Sequence, residues 1–107
     1  MSEKYHDDIK RFQPNLNAKA VAAIVKHLGI ALRSPDASLV SCSSKDELAR
    51  VRESWLKKKL GVAGDDAALD KAIADVCATM TGDGKKHRVT FYYLLAEKAG
   101  KLAMLAS

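Results

Sequence analysis

The amino-acid sequence predicts an all-α fold: a compact single-domain bundle of five short helices, with a sixth if the loop before helix three or the C-terminal tail winds into a turn. Three observations predict it. Apolar residues recur at three- and four-residue spacing between turn residues. Capping residues stand at the heads of those segments. No sustained alternation, Asn-Gly hairpin signal or internal repeat appears, so strands are not needed to account for the pattern. The 107 residues suffice for one core and are too few for two ordinary ones. With 48% apolar and 29% charged residues, the balance is that of a globular chain.

Ser2 can cap a first helix running to about Phe12, with Tyr5, Ile9 and Phe12 on one face and Pro14 barring continuation. Asn17 is the next cap, followed by Val21, Ile24, Val25, Leu28 and Leu32, a stripe that carries the second helix to about Arg33. Gly29 falls inside this stripe, either as a helix-weakening interior glycine or as a point of close helix approach. Ser34-Pro35-Asp36 reads as a turn, and residues 37–43 show no clear period, so they form a loop or a short helical turn.

Ser44-Lys45-Asp46-Glu47 has capping-box spacing and starts helix three, with Leu48, Val51, Trp55, Leu56 and Leu60 on one face. Gly61 supplies its left-handed stop and Val62 the apolar contact after it. Asp65 or Asp66 starts helix four, whose stripe is Leu69, Ile73, Val76, Cys77 and Met80, before Thr81-Gly82-Asp83-Gly84 breaks it. Thr90 caps a last helix over Phe91 to Ala99, with Val89 and Leu94 at hydrophobic-staple spacing and Gly100 closing it. Leu102, Met104 and Leu105 form an apolar tail that should dock on the body. The expected core is Ile9, Val21, Ile24, Leu28, Leu48, Val51, Trp55, Leu56, Leu60, Leu69, Ile73, Val76, Phe91, Leu94 and Leu95.

No run approaches the ~20 apolar residues of a membrane span, and no apolar stretch follows the charged start Met1-Ser2-Glu3-Lys4, so membrane insertion and secretion are not indicated. A cytoplasmic location is expected. Cys42 and Cys77 show no metal-type spacing, and their default reading is two reduced thiols, with a disulfide as the alternative. The net charge of +5 fits an acidic protein, nucleic acid or lipid partner, or simple solubility.

The segments Ile24-Val25-Lys26 through Ala37-Ser38-Leu39-Val40, Leu56 through Gly61 and Val89 through Leu102 (VTFYYLLAEKAGKL) resemble an uncharacterised bacterial family, domain-of-unknown-function family 2853. The resemblance spans nearly the whole chain and implies a small all-helical fold, without an activity or catalytic residue to carry over. That architecture resembles EF-hand helix–loop–helix pairs. Placing Val89 at the central apolar loop position puts Gly82, Gly84 and Tyr93 at ligand positions, none a carboxylate, so such a pair is expected to be metal-free.

Lys57, Lys58 and Lys59 occupy the last turn of helix three, where cations complement the backbone dipole, which is explanation enough. Lys85, Lys86, His87 and Arg88 precede a helix start, where positive charge is disfavoured; they are either a solvated loop or a site for a phosphate or a partner's carboxylate. The Gly82-Asp83-Gly84-Lys85 stretch fails the nucleotide-loop test, because the glycine spacing is wrong and helix four, not a strand, leads in. Phe91 belongs to the core stripe, whereas Tyr93 is the tyrosine expected to show a ring or hydroxyl at the surface beside the basic loop. Cys42, just ahead of a helix start, is either a quiet packed thiol or a reactive one paired with His6, His27 or His87.

The histidines show no two-His ligand spacing, and Asp7-Asp8, Asp46-Glu47 and Asp65-Asp66 sit where helix dipoles explain them, so no catalytic constellation or cofactor is read. The expected function is a non-enzymatic interaction module whose basic loop, Lys85, Lys86, His87 and Arg88 with Tyr93, meets an acidic protein partner. The alternative is weak nucleic-acid or phosphate binding through that loop and the Lys57–Lys59 end.

Overall fold

Local capping chemistry sets three of the helix starts. A computed structural model describes residues 5–12, 16–29, 39–40, 42–62, 64–80 and 86–106. Asn17, in extended backbone, accepts from the Ala20 amide at 3.1 Å and opens α2 (Ala18–Leu28). Ser44 accepts from the Glu47 amide at 3.3 Å and opens α3 (Lys45–Arg50). Asp65 accepts from the Ala68 amide at 2.9 Å and opens α4 (Asp66–Thr79). Ahead of these lies α1 (His6–Lys10), which starts at Tyr5 without a side-chain cap; the expected Ser2 cap lies outside the described residues. After them come α5 (Arg88–Lys98) and α6 (Leu102–Ala106), the latter formed by the apolar tail.

Several boundaries differ from expectation for identifiable reasons. Gly29 is not interior to α2: it is the C-cap, at φ 42°, so the helix ends at Leu28, and Leu32 and Arg33 lie outside the described residues. The last helix starts at Arg88 rather than Phe91, because the chain turns directly into helix from the extended backbone of His87. Thr90, expected as a cap, lies inside the first turn, where its hydroxyl donates to the Asp8 carboxylate. Two short strands also occur, β1 (Leu39–Val40) and β2 (Lys86–His87), paired antiparallel with Leu39 opposite His87 and Val40 opposite Lys86. Side-chain alternation cannot announce strands of two residues each.

Beyond α3 the backbone loosens into a π-helix over Val51–Lys59, with the Leu60 amide donating to the Trp55 carbonyl, five residues back, at 2.9 Å. The apolar spacing suits this winding. At 100° per residue Val51 and Leu60 would face about 180° apart. At roughly 4.4 residues per π-turn they fall two turns apart on one face. Val51, Trp55, Leu56 and Leu60 are all buried. Gly61, at φ 62°, then ends the segment as expected, and the Val62 amide returns to the Leu56 carbonyl at 2.8 Å.

The bundle consists of two helix–loop–helix units, α2–β1–α3 and α4–β2–α5, whose loops meet in the β1–β2 ladder. α5 is its centre. Residues Val89 through Ala96 are all buried, as a helix enclosed on every side must be. Around it pack α1, α2, α4, the π-helix and α6. The expected core residues are buried, except that Leu28 and Leu48 are only partly so; Val40, Met80, Val89, Tyr92, Tyr93 and Leu105 join them. No helix is long and apolar enough to cross a membrane among the described residues.

Candidate functional site

The expected basic site divides into separate environments. Lys85 lies outside the described residues, and Lys86 pairs through its backbone with Val40. His87 is half-buried, with its ring edge-on to Tyr5 at 6.5 Å. Arg88 turns inward: its guanidinium donates to the Leu39 carbonyl at 3.1 Å, forms an ion pair with Glu47, and lies over the Tyr92 ring at 5.8 Å. Only 12% of its side chain is exposed.

Tyr93 corrects the expectation of a surface tyrosine. It is fully buried, and its hydroxyl accepts from the Asn17 amide at 2.9 Å. A helix enclosed on all sides has no outward face on which to show it. Glu47 likewise departs from the capping-box reading: Ser44 plays its part, but the Glu47 carboxylate goes to Arg88.

The cysteines are also corrected. Cys42 and Cys77 are joined in a disulfide with Cα atoms 6.0 Å apart, not held as two thiols. Each is half-buried at the margin of the core. Their proximity arises from the ladder, which brings the head of α3 to the last turn of α4, and sequence spacing gives no sign of it. The sulfur of Cys42 is thereby removed as a nucleophile, and His6, one of its conceivable bases, has a buried Nε2 with no hydrogen-bond partner among the described residues.

With the central loop position at Lys86 or His87 instead of Val89, which lies in α5, the final ligand position falls on Thr90 or Phe91. Neither is a carboxylate. No group of three potential metal ligands occurs among the described residues.

An aromatic column runs through the middle of the molecule. The His27 ring, at the exposed end of α2, lies 5.1 Å from that of Trp55; Trp55 stacks on Tyr92 at 4.7 Å and donates its indole N–H to the Tyr92 carbonyl at 3.2 Å. Burial against this column, and secondarily the charge of Lys59, push the His27 pKa down. His27 thus lies near Lys59, and the last turns of α2 and the π-helix also carry the exposed Lys26 and Lys58.

Neighbouring charges are already engaged. Arg52 reaches Glu53 at 2.8 Å and Asp70 at 2.9 Å, and Lys57 reaches Asp66 at 2.6 Å and Glu53 at 2.9 Å. These bonds raise the pKa values of Arg52 and Lys57; Arg52 and Lys57 lower that of Glu53, and Lys57 that of Asp66. Lys26, Lys58 and Lys59 form no ion pair among the described residues. A cleft between α1, α4 and α5 is lined by Arg11, Phe12, Asp75, Leu94, Glu97 and Lys98. Its charges are largely spoken for: Arg11 pairs with Asp8, and Lys98 with Asp75 at 3.3 Å.

Compared with known sequences, residues 4–103 match the profile of one family, described as protein of unknown function (DUF2853). No curated protein matches the chain.

Proposed function

Because this chain belongs to the DUF2853 family, whose description carries no activity, we propose from its geometry that it is a non-enzymatic interaction module for an acidic protein partner. The contact surface is the joined end of α2 and the π-helix. One observation carries this reading: Lys26, Lys58 and Lys59 form no ion pair among the described residues, whereas Lys57 in the same turn is held by two carboxylates. Such uncompensated charge attracts an acidic surface and accelerates its encounter. Nucleic acid is the weaker fit, since single-strand binders add exposed stacking rings. Here Trp55, Phe91, Tyr92 and Tyr93 are all buried.

NMR titration with a Glu-rich peptide, and in parallel with a single-stranded oligonucleotide of equal charge, tests the reading. The peptide should shift resonances of His27, Lys58 and Lys59, and K58S/K59S should abolish the response while K85S/K86S retains it. An unresponsive surface, or one that prefers the oligonucleotide with a steep salt dependence, refutes it. A cytoplasmic location is part of the proposal and requires that the Cys42–Cys77 bond be reducible there.

A further inference from the structure

We propose that Cys42 and Cys77 form a reversible dithiol–disulfide switch that sets how firmly the two helix–loop–helix units are joined at their loop ends. The bond links the turn between β1 and α3 to the last turn of α4, and so crosses from one unit to the other beside the ladder. Among the described residues the ladder pairs Leu39 with His87 and Val40 with Lys86, and a two-stranded pairing is marginal in water without further support. Arg88 adds its bonds to the Leu39 carbonyl and to Glu47.

The core centres on the enclosed α5 and takes in Val40 of β1, while both cysteines pack at its margin. Breaking the bond therefore loosens the loop end and leaves the core packed. Both residues are half-buried, so a small thiol can reach the bond. In the exchange, a thiolate of a dithiol reductant attacks one sulfur, forming a mixed disulfide and releasing the other as a thiolate that takes a proton from solvent. The reductant's second thiol then attacks the mixed disulfide. Cys42 and Cys77 end as two thiols, and the reductant, having given up two electrons, ends as a disulfide. An oxidised dithiol reverses the sequence.

The test compares the intact protein equilibrated with oxidised and with reduced dithiothreitol, scoring thiols by alkylation and mass, and mobility by amide hydrogen exchange. Exchange in residues 39–40, 42–44 and 86–88 should rise at least about tenfold on reduction, while residues 20–25 and 91–96 change less than about twofold, and reoxidation should restore the first pattern. A C42S/C77S variant should show the loosened pattern in either buffer. The proposal is overturned if reduction or the double substitution unfolds the whole chain, because the bond is then purely structural. It is equally overturned if exchange at the ladder does not change, or if the oxidised protein still carries two free thiols.

Discussion

Replacing Arg88 separates two physical pictures of the basic segment. If Arg88 served a surface site, its removal would leave stability within about 0.5 kcal/mol, as substitutions away from structural features do. Inside the molecule, the side chains of Arg88 and Glu47 are only 12% and 18% exposed, so each depends on the other for the solvation it has lost. Arg88→Met strands the Glu47 carboxylate and the Leu39 carbonyl, which Arg88 reaches at 3.1 Å. An unsatisfied buried polar group costs about 1–3 kcal/mol, and breaking a fully buried ion pair about 3–5 kcal/mol. For this partly exposed pair, about 2–3 kcal/mol is expected. Glu47→Gln should cost less, about 1–2 kcal/mol, since Arg88 keeps the Leu39 carbonyl and the Tyr92 ring. The double variant Arg88→Met with Glu47→Leu removes both charges and should be more stable than the sum of the singles implies, with a coupling of about 1–3 kcal/mol. Urea unfolding followed by circular dichroism reads these differences as midpoint shifts of about 1 M or more for Arg88→Met, given slopes of about 1–3 kcal/mol/M. Single variants near zero, or a strictly additive double variant, would refute the inward placement of Arg88.

Tyr93→Phe should cost about 1–2 kcal/mol in the same assay, because it leaves the Asn17 amide without the acceptor now 2.9 Å away; a neutral result would mean that the hydroxyl is wet. Preventing the disulfide by Cys42→Ala should lower stability by about 4 kcal/mol relative to the oxidised protein, from the closure entropy of a 35-residue separation. A loss below about 1 kcal/mol would count against a cross-link in the folded chain. His27 has a folded pKa below its unfolded value, so its contribution to stability is complete above the unfolded pKa and declines as pH falls through the folded one. Lys59→Gln should move the His27 titration upward by NMR while leaving it depressed, since burial is the larger cause. Gly61→Ala should cost about 1 kcal/mol through its backbone alone, because φ is 62° and a Cβ there would meet nothing within 4 Å.

What the sequence revealed was whatever is decided within a few residues. Asn17, Ser44 and Asp65 announce their helices because each cap reaches an amide three residues on, and Gly61 announces a stop because its backbone alone is at issue. The spacing of Val51, Trp55, Leu56 and Leu60 was visible too, but an α-helical reading of it hid the wider π-winding that unites those residues on one face. Contacts between distant segments were not legible. The Cys42–Cys77 bond, the hydroxyl of Tyr93 on Asn17 and that of Thr90 on Asp8 join residues 35, 76 and 82 positions apart. No periodicity encodes such meetings. The fully enclosed α5 is a related case: periodicity identifies a helix by its exposed face, and this one has none over Val89–Ala96.

The same geometry accounts for the cation at the start of α5, which an isolated helix would disfavour. Arg88 stands in the first turn of α5 and Glu47 in the first turn of α3, so their ion pair connects the N-terminal ends of two helices. The carboxylate suits the positive end of α3, and by neutralising Arg88 it offsets that residue's conflict with the positive end of α5. Glu47 performs this service at the expense of the capping box, which explains why its side chain does not return to the Ser44 backbone. A charge thus used to join two helices is not available to a partner. The proposed contact instead uses cations without such a duty, Lys26, Lys58 and Lys59, at the C-terminal ends of α2 and the π-helix. There the backbone dipoles already favour positive charge, so the surface can keep several cations together without an internal carboxylate.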